Sequence, residues 1–177
     1  MITLSHMITK ANLEDVVALK KLINGAYRGE SSKAGWTTEA FMLGGERTNE
    51  DELNEILLDS TNTLLKFTEG KQILASVLLT AKENQLYLGM LTVSPQLQNG
   101  GIGAQLLAQA DLHAKQLGLS KIVMTVISTR TELIAYYNRK GYIDTGLRAP
   151  FPDSHSHSVL GSDPLQFMVL EKTILLD

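Results

Sequence analysis

The chain has 177 residues, a formal net charge of −3 at neutral pH, 44% hydrophobic and 20% charged residues, and no cysteine. A chain of this length and apolar content can bury a core without disulfides or a structural metal, so we expect one domain spanning residues 1–177. The lack of cysteine excludes disulfides, thiolate catalysis and cysteine-ligated metals. The slightly negative charge gives no electrostatic footprint for a nucleic-acid partner.

The N-terminal ten residues are apolar in part, but Lys10 and several polar residues interrupt them, so we expect no secretory signal. No stretch approaches the roughly 20 apolar residues that a membrane-spanning helix needs. We therefore expect a cytoplasmic protein without a membrane partner.

The first part of the chain predicts a strand followed by a helix. Residues 2–10 favour the strand. Asn12 can cap a helix whose apolar residues recur at helical spacing as far as Ala26. Gly25 and Gly29 are expected to mark its end.

A polar loop and two further helices follow. Residues 27–36 are polar and glycine-punctuated, which is typical of a loop. A short helix is predicted over 38–43, stopped by Gly44 and Gly45. A second helix begins at Asn49, where Asn49 and Glu52 have the spacing of a capping box.

The rest of the chain predicts a mixed sheet covered by helices. Three β-rich segments joined by short turns form an antiparallel meander over 63–68, 72–81 and 86–93. The remaining elements are a helix over 103–118, a strand over 121–127, a helix over 130–140, a strand over 142–148, a loop over 149–164 and a strand over 165–173. The fold class is therefore α/β with a mixed sheet, in the order β-α-α-β-β-β-α-β-α-β-β. The strands 86–93 and 121–127 must be parallel, because a helix connects them in a right-handed crossover.

Residues 91–107 form the most informative stretch of the sequence. A buried strand ends at Pro95, passes through a glycine-rich loop and enters a helix. Such a loop points backbone N–H groups at one spot beside the positive end of the helix, which favours a phosphate. The dinucleotide pattern G-x-G-x-x-G fails because Leu106 takes the third glycine's place, and the Gly-Lys-Ser/Thr of a P-loop is absent.

Two motifs instead resemble a known family. The first is Gln98-x-x-Gly101-x-Gly103, placed directly after a strand and opening a helix. The second is Tyr137-x-x-x-Gly141-Tyr142, at the end of the helix that follows the parallel strand. Together with the element order, they resemble the GNAT superfamily of acetyl-CoA-dependent N-acyltransferases over essentially the whole chain.

The resemblance implies a GNAT-like fold with acetyl-CoA as co-substrate. In the family, backbone N–H groups of the loop bind the pyrophosphate, the preceding strand pairs with the pantetheine arm, and the motif tyrosine lies near the thioester sulfur. The residues that match the loop positions here are Gln98, Asn99, Gly100, Gly101, Ile102, Gly103 and Ala104. Those that match the strand positions are Leu91, Thr92 and Val93, and the matching tyrosine is Tyr137, the expected general acid.

Two positions depart from the family pattern. Many members have an asparagine seven residues before the tyrosine, where this chain has Arg130. Some members carry a glutamate base on the strand before the loop, and Tyr87 stands at that position. The general base therefore stays open among Glu30, Glu39, Glu46, His155, His157 and an ordered water. The two histidines lack a third ligand for zinc, so no metal site is predicted.

The acceptor is expected to be a primary amine of a small molecule, an amino acid or a peptide. The segments that flank the acceptor cleft in the family match the region of Tyr27, Arg28, Trp36 and Glu39 and the loop before the last strand. A non-catalytic acyl-CoA-binding sensor is the alternative function. Both a monomer and a homodimer are compatible with the sequence.

Overall fold

The computed structural model describes residues 6–28, 30–152, 157–160 and 164–177. Its strands are β1 (His6–Lys10), β2 (Leu43–Gly45), β3 (Asn62–Glu69), β4 (Gln72–Lys82), β5 (Gln85–Val93), β6 (Lys121–Ile127), β7 (Ile143–Pro150), β8 (His157–Val159) and β9 (Gln166–Thr173). Seven of them form one sheet in the order β1-β3-β4-β5-β6-β9-β7. Every neighbouring pair in this sheet is antiparallel except β5 and β6, so the predicted mixed sheet is confirmed.

Helices cover the sheet on both sides. They are α1 (Val16–Tyr27), α2 (Glu50–Leu58), α3 (Ile102–Gln116) and α4 (Thr131–Arg139). Successive residues of a strand point to opposite faces, and accordingly Leu64 of β3 packs with α1 and α2 while Leu65 packs with the core around α3. Within the described ranges, no helix combines the length and the apolar character needed to cross a membrane.

The predicted elements of the sheet are confirmed to within a few residues. The antiparallel meander is β3 to β5, and the strand predicted at 121–127 is β6, parallel to β5. Residues 6–10 of the predicted first strand form β1, whereas 2–5 lie outside the described residues. Asn12 caps a short 3-10 turn that leads into α1, accepting a hydrogen bond from the N–H of Glu14 at 2.9 Å. Gly25 lies within α1 and does not end it.

The predicted helix over 38–43 is wrong. The N–H groups of Met42 and Leu43 both donate to the carbonyl of Glu39, which makes a single turn and no more. The chain then forms β2, which pairs antiparallel with β8, a strand inside the predicted loop 149–164. A short apolar segment cannot be assigned from its periodicity alone when its pairing partner comes from the far end of the chain.

The start of α2 rests on half of the predicted capping box. Asn49 Oδ1 accepts a hydrogen bond from the N–H of Glu52 at 2.8 Å, which is the first half of the box. The second half does not form, because the Glu52 carboxylate accepts from Thr48 Oγ1 at 2.6 Å instead of from the N–H of Asn49. We expect Asn49→Ala to lower the free energy of unfolding by about 1 kcal/mol. In thermal unfolding this corresponds to a melting temperature lower by roughly 2–4 °C. Asn49→Asp keeps an acceptor and should melt near the wild type, and equal loss in both variants would contradict the capping role.

Candidate functional site

The site begins where β5 leaves its parallel neighbour. The register joins β5 and β6 only at Leu86–Ile122 and Tyr87–Val123. Beyond that point β5 stays paired with β4 but is bulged, with a register shift between Ser76 and Leu78, and Met90 adopts a φ of 50°. A bulge bends and twists its strand, so the two parallel strands separate. The gap between β5 and β6, called the wedge below, opens at the carboxyl ends of the two strands, where α/β sheets usually bind ligands.

The glycine-rich loop lies at the end of β5. Gly101 is the N-cap of α3 and has a φ of 82°, which favours glycine, and no side chain caps the first turn. The leading N–H groups of α3 are therefore left for another acceptor, at the positive end of the helix. At Gly103, a Cβ atom would lie 3.0 Å from Tyr136 Oη and 3.7 Å from a Val93 methyl group. Glycine at this position keeps the backbone open to close approach.

The side chain of Gln98 braces the loop. Its Nε2 donates to the carbonyl of Val93 at 3.1 Å, and its Oε1 accepts from the N–H of Trp36 at 3.0 Å. The loop is thereby tied both to the end of β5 and to the segment after α1. The sequence motif placed a glutamine here, but it did not reveal that the side chain serves to hold Trp36.

A first cavity of about 340 Å³ lies between the loop, the end of β5 and α4. The predicted cofactor-binding residues that line it are Leu91, Thr92, Val93, Gln98, Asn99, Gly101, Ile102, Gly103 and Ala104; Gly100 does not line it. Tyr136, Arg139 and Lys140 of α4 and its C-cap also face this cavity, and sequence reasoning missed them. The positive charges of Arg139 and Lys140 favour an anion in this cavity. Their position next to Tyr137 in the sequence motif is the signal that could have identified them.

A second cavity of about 470 Å³ lies beyond the wedge, towards β6 and β9. Of the predicted acceptor residues, Arg28 and Glu39 line this cavity, Trp36 lines the first one, and Tyr27 lines both. The residues shared by the two cavities are Tyr27, Leu91, Arg130, Leu133 and Tyr137. The cavities therefore meet at the mouth of the wedge.

Three charged side chains form a buried cluster beside this junction. Arg28, Glu39 and Arg130 are 7%, 7% and 5% exposed. Glu39 Oε2 accepts from Arg28 Nε at 3.2 Å, and Glu39 Oε1 accepts from Arg130 Nη1 at 3.1 Å. A carboxylate in this environment depends on its partners, because burying an unpaired charge is costly. Both Glu39 oxygens are thus engaged, which removes Glu39 from the candidates for a free base.

Further hydrogen bonds fix the two arginines of this cluster. Arg28 Nη1 donates to the carbonyl of Glu46 at 2.9 Å, and Arg130 Nη2 donates to Thr37 Oγ1 at 2.6 Å. Arg130 stands at the position where the family often has asparagine, and its guanidinium joins α4 to the segment after α1. Arg130 therefore has a structural role in this chain at the position where the family often has asparagine.

Two buried tyrosines face the junction with protonated hydroxyls. The Tyr27 hydroxyl donates to the carbonyl of Leu91 at 2.8 Å. Tyr137 packs edge-on against Tyr136 and Tyr142, and no residue in the described part of the chain provides a hydrogen-bond partner for its hydroxyl. Burial raises the pKa of Tyr27 and raises the pKa of Tyr137 well above 10. At neutral pH the Tyr137 phenol can donate a proton but holds no charge with which to take one.

The other candidates for the base are spread around the molecule. Tyr87 occupies the strand position where some family members have a glutamate, and its hydroxyl lies 3.0 Å from Thr125 Oγ1. The Glu46 side chain is 59% exposed and points towards Lys20. His157 belongs to β8, whereas His155 and the side chain of Glu30 lie outside the described residues.

The comparisons with known proteins agree with one another: the family model and the solved structures both indicate a GNAT acetyltransferase fold. The family model described as an acetyltransferase (GNAT) domain matches residues 33–152. No curated protein sequence matches the chain. The structure resembles the ribosomal-protein-S18-alanine N-acetyltransferase of Escherichia coli, with 12% identity, coverage of 98% of this chain and 96% of that one, and a TM-score of 0.72.

Two further solved structures share the fold. The PaiA N-acetyltransferase of Thermoplasma acidophilum, solved with coenzyme A, is 16% identical over 96% of this chain and 99% of that one, with a TM-score of 0.68. The IAA acetyltransferase of Bacillus cereus is 16% identical over 96% and 99%, with a TM-score of 0.64. The predicted GNAT-like fold is confirmed by these structures. Because the family model spans well over half of its length, the chain belongs to the GNAT acetyltransferase family, whose co-substrate is acetyl-CoA.

Proposed function

We propose that the protein transfers the acetyl group of acetyl-CoA to the nitrogen of a primary amine in a small molecule, an amino acid or a peptide. The observation that carries this proposal is the meeting of two cavities at Tyr137, a residue that lines both and is only 6% exposed. One cavity suits the cofactor and the other suits an acceptor, and direct transfer requires the two to meet at one point. Acetyl-CoA supplies the activated acyl group as a thioester.

In this proposal the backbone N–H groups of residues 98–104 bind the pyrophosphate, supported by the charges of Arg139 and Lys140. Each N–H bond to a phosphate oxygen is charge-assisted and contributes about 1.5–3 kcal/mol. The uncapped first turn of α3 and the lack of a Cβ at Gly103 support this placement.

The open side of β5 is the proposed partner of the pantetheine arm. The carbonyls of Leu91 and Val93 face away from β4, because they accept from Tyr27 and from the Gln98 side chain. In an extended strand the N–H and C=O of one residue point to the same side, so the N–H groups of Leu91 and Val93 face the wedge as well. An extended amide chain can accept from such donors as an added strand does.

The chemistry needs a neutral amine and a protonated leaving thiol. At neutral pH, removing the proton from an amine with a lysine-like pKa costs on the order of 4–5 kcal/mol. The second cavity is lined by Arg28, Arg47 and Arg130 against Glu39 and Glu52, and this positive balance favours the neutral amine. In transfer the amine nitrogen bonds to the acyl carbon, the carbon–sulfur bond breaks, and the Tyr137 phenol protonates the sulfur. The amine proton leaves through water.

We expect Tyr137→Phe to lower kcat at least tenfold while the dissociation constant of acetyl-CoA changes little. The phenyl ring keeps the packing against Tyr136 and Tyr142, and only the proton donor is lost. Steady-state turnover and calorimetric binding measure the two quantities separately. Since burial raises the pKa of Tyr137 well above 10, wild-type kcat should not fall between about pH 8 and pH 10.

Tyr142→Phe is the matched control for this variant. The Tyr142 hydroxyl is also buried and without a hydrogen-bond partner in the described residues, but it lines neither cavity. It should turn over at the wild-type rate. Unaltered turnover of Tyr137→Phe would remove Tyr137 from the mechanism.

A non-catalytic acyl-CoA sensor is the alternative that one observation favours. Within the described residues, the carboxylates of the second cavity, Glu39 and Glu52, both accept hydrogen bonds from protein donors. Release of free thiol from acetyl-CoA, measured across a panel of amines, separates the two functions. Tight binding of acetyl-CoA with no release for any amine would identify a sensor.

A further inference from the structure

Arg47 is the cation of the second cavity to which no described residue brings a carboxylate within ion-pair distance. Glu39 is bound by both Arg28 and Arg130, and the Glu52 carboxylate accepts from Thr48 Oγ1 at 2.6 Å. Among the described residues, none places a carboxylate at ion-pair distance from the Arg47 guanidinium, or a hydrogen-bond acceptor on it. Arg28, Arg47 and Arg130 against Glu39 and Glu52 give the lining of the cavity a formal excess of one positive charge, and Arg47 is the arginine with no carboxylate of the described residues at ion-pair distance.

Arg47 is held in place by a backbone hydrogen bond and a ring contact, and neither uses the N–H donors of its guanidinium. Its backbone N–H donates to Asn24 Oδ1 at 2.7 Å, which fixes the segment after β2 against α1. Its guanidinium carbon lies 5.4 Å from the centre of the Tyr27 ring. Tyr27 lines both cavities, so the guanidinium is stationed close to their junction. A guanidinium held over a ring at this distance can still present its N–H fork, which matches a carboxylate.

The wall opposite these charges is apolar. The rings of Phe151 and Phe167 lie 5.0 Å apart, and Met124 and Ile127 of β6 also line the cavity. A volume of about 470 Å³ is within the range of sites for small molecules. The cavity thus combines an anion-binding fork with room for an apolar group.

Building on the proposed N-acetyl transfer, we propose that the acceptor is a free amino acid with an apolar side chain, and that Arg47 binds its carboxylate. The amine would then lie towards Tyr137 and the side chain towards Phe151 and Phe167. The same charges disfavour a polyamine, because its second cation would face a lining in which three arginines outnumber two glutamates.

The test compares acceptors that differ only in the carboxylate. Phenylalanine, leucine and methionine are each assayed beside their amides and decarboxylated amines, with spermidine as the polycation. We expect wild-type kcat/KM to be at least tenfold higher for each acid than for its amide, and spermidine to be a poor acceptor. In Arg47→Gln, kcat/KM for the acids should fall about 10- to 100-fold through KM, while kcat/KM for the amides, which lose only the effect of the charge on the amine, should fall several-fold less.

Arg148→Gln is the matched control, because Arg148 pairs with Asp144 and lines neither cavity. It should leave every acceptor unchanged. Arg47→Lys, which keeps the charge and loses the fork, should recover part of the preference for acids. Equal use of acids and amides by the wild type, or equal losses for both in Arg47→Gln, would overturn the inference.

A binding measurement separates this inference from the proposed function. Each amino acid is titrated into the CoA-saturated protein by calorimetry, and binding that weakens at least tenfold in Arg47→Gln supports the inference even without turnover. Turnover of simple amines with neither binding nor turnover of amino acids overturns the inference and leaves N-acetyl transfer standing. Release of no thiol with any amine overturns the transfer function instead, and the calorimetric result then decides the Arg47 site.

Discussion

Glu39→Gln is expected to destabilise the protein by about 3–5 kcal/mol, the usual cost of removing one partner from a buried ion pair. Arg28 and Arg130 are nearly fully buried, and both donate to this carboxylate. A neutral amide would leave the two guanidinium groups near each other with Glu132 Oε1, 3.9 Å from Arg130 Nε, as the remaining carboxylate contact among the described residues. At roughly 2–4 °C per kcal/mol for a chain of this size, the melting temperature should fall by about 6–20 °C.

Glu46→Gln provides the same chemical change at an exposed site. The Glu46 side chain is 59% exposed and lies 4.0 Å from Lys20 Nζ, and exposed pairs of this kind contribute at most about 1 kcal/mol. Calorimetric melting of both variants beside the wild type gives the comparison. A Glu39→Gln protein that melts within the range of Glu46→Gln would contradict the role given to the buried cluster.

Gly103→Val is expected to weaken the binding of CoA by about 100-fold. The Cβ atom would lie 3.0 Å from Tyr136 Oη, and the methyl groups would enter the first cavity beside the loop N–H groups. A phosphate kept at a distance by these methyl groups loses one or two charge-assisted bonds, each contributing about 1.5–3 kcal/mol. Titration calorimetry with CoA measures the dissociation constant directly.

Ala108→Val tests whether the effect is specific to the loop. Ala108 is an exposed residue of the same helix and lines neither cavity. A valine there costs at most about 0.7 kcal/mol in helix propensity and should leave the affinity for CoA unchanged. If Gly103→Val bound CoA as tightly as Ala108→Val, the pyrophosphate would have to bind elsewhere.

The parts of the fold that could be predicted are those encoded by neighbouring residues. The meander follows from β-rich segments and short turns, and the start of α2 follows from Asn49 and Glu52. The glycine-rich loop could be located because its strand, turn and helix are contiguous. In each case the physical cause lies within a few residues of its effect.

The parts that could not be predicted depend on residues brought together by the fold. The pairing of β2 with β8 joins distant segments, so the local sequence over 38–43 predicts a helix that does not form. The partners of Glu39 come from the end of α1 and from the N-cap of α4. Nothing in the local sequence distinguishes this buried glutamate from an exposed one.

The same limit applies to the candidate site. Tyr27, Arg28 and Glu39 were singled out as acceptor residues, yet their arrangement around the wedge depends on the bulge at Met90 and the separation of β5 from β6. Arg47 carried no motif. Its position over the Tyr27 ring, with no carboxylate of the described residues at ion-pair distance, is a property of the folded chain alone.

The central claim is that the protein moves the acetyl group of acetyl-CoA to an amine nitrogen. The most direct measurement follows carbon-13 from acetyl-labelled acetyl-CoA by NMR in the presence of the amine panel and the wild-type protein. We expect the label to appear in an N-acetyl amide of at least one amine, in step with the release of free CoA thiol. Persistence of the label in the thioester with every amine, while acetyl-CoA binds, would contradict it.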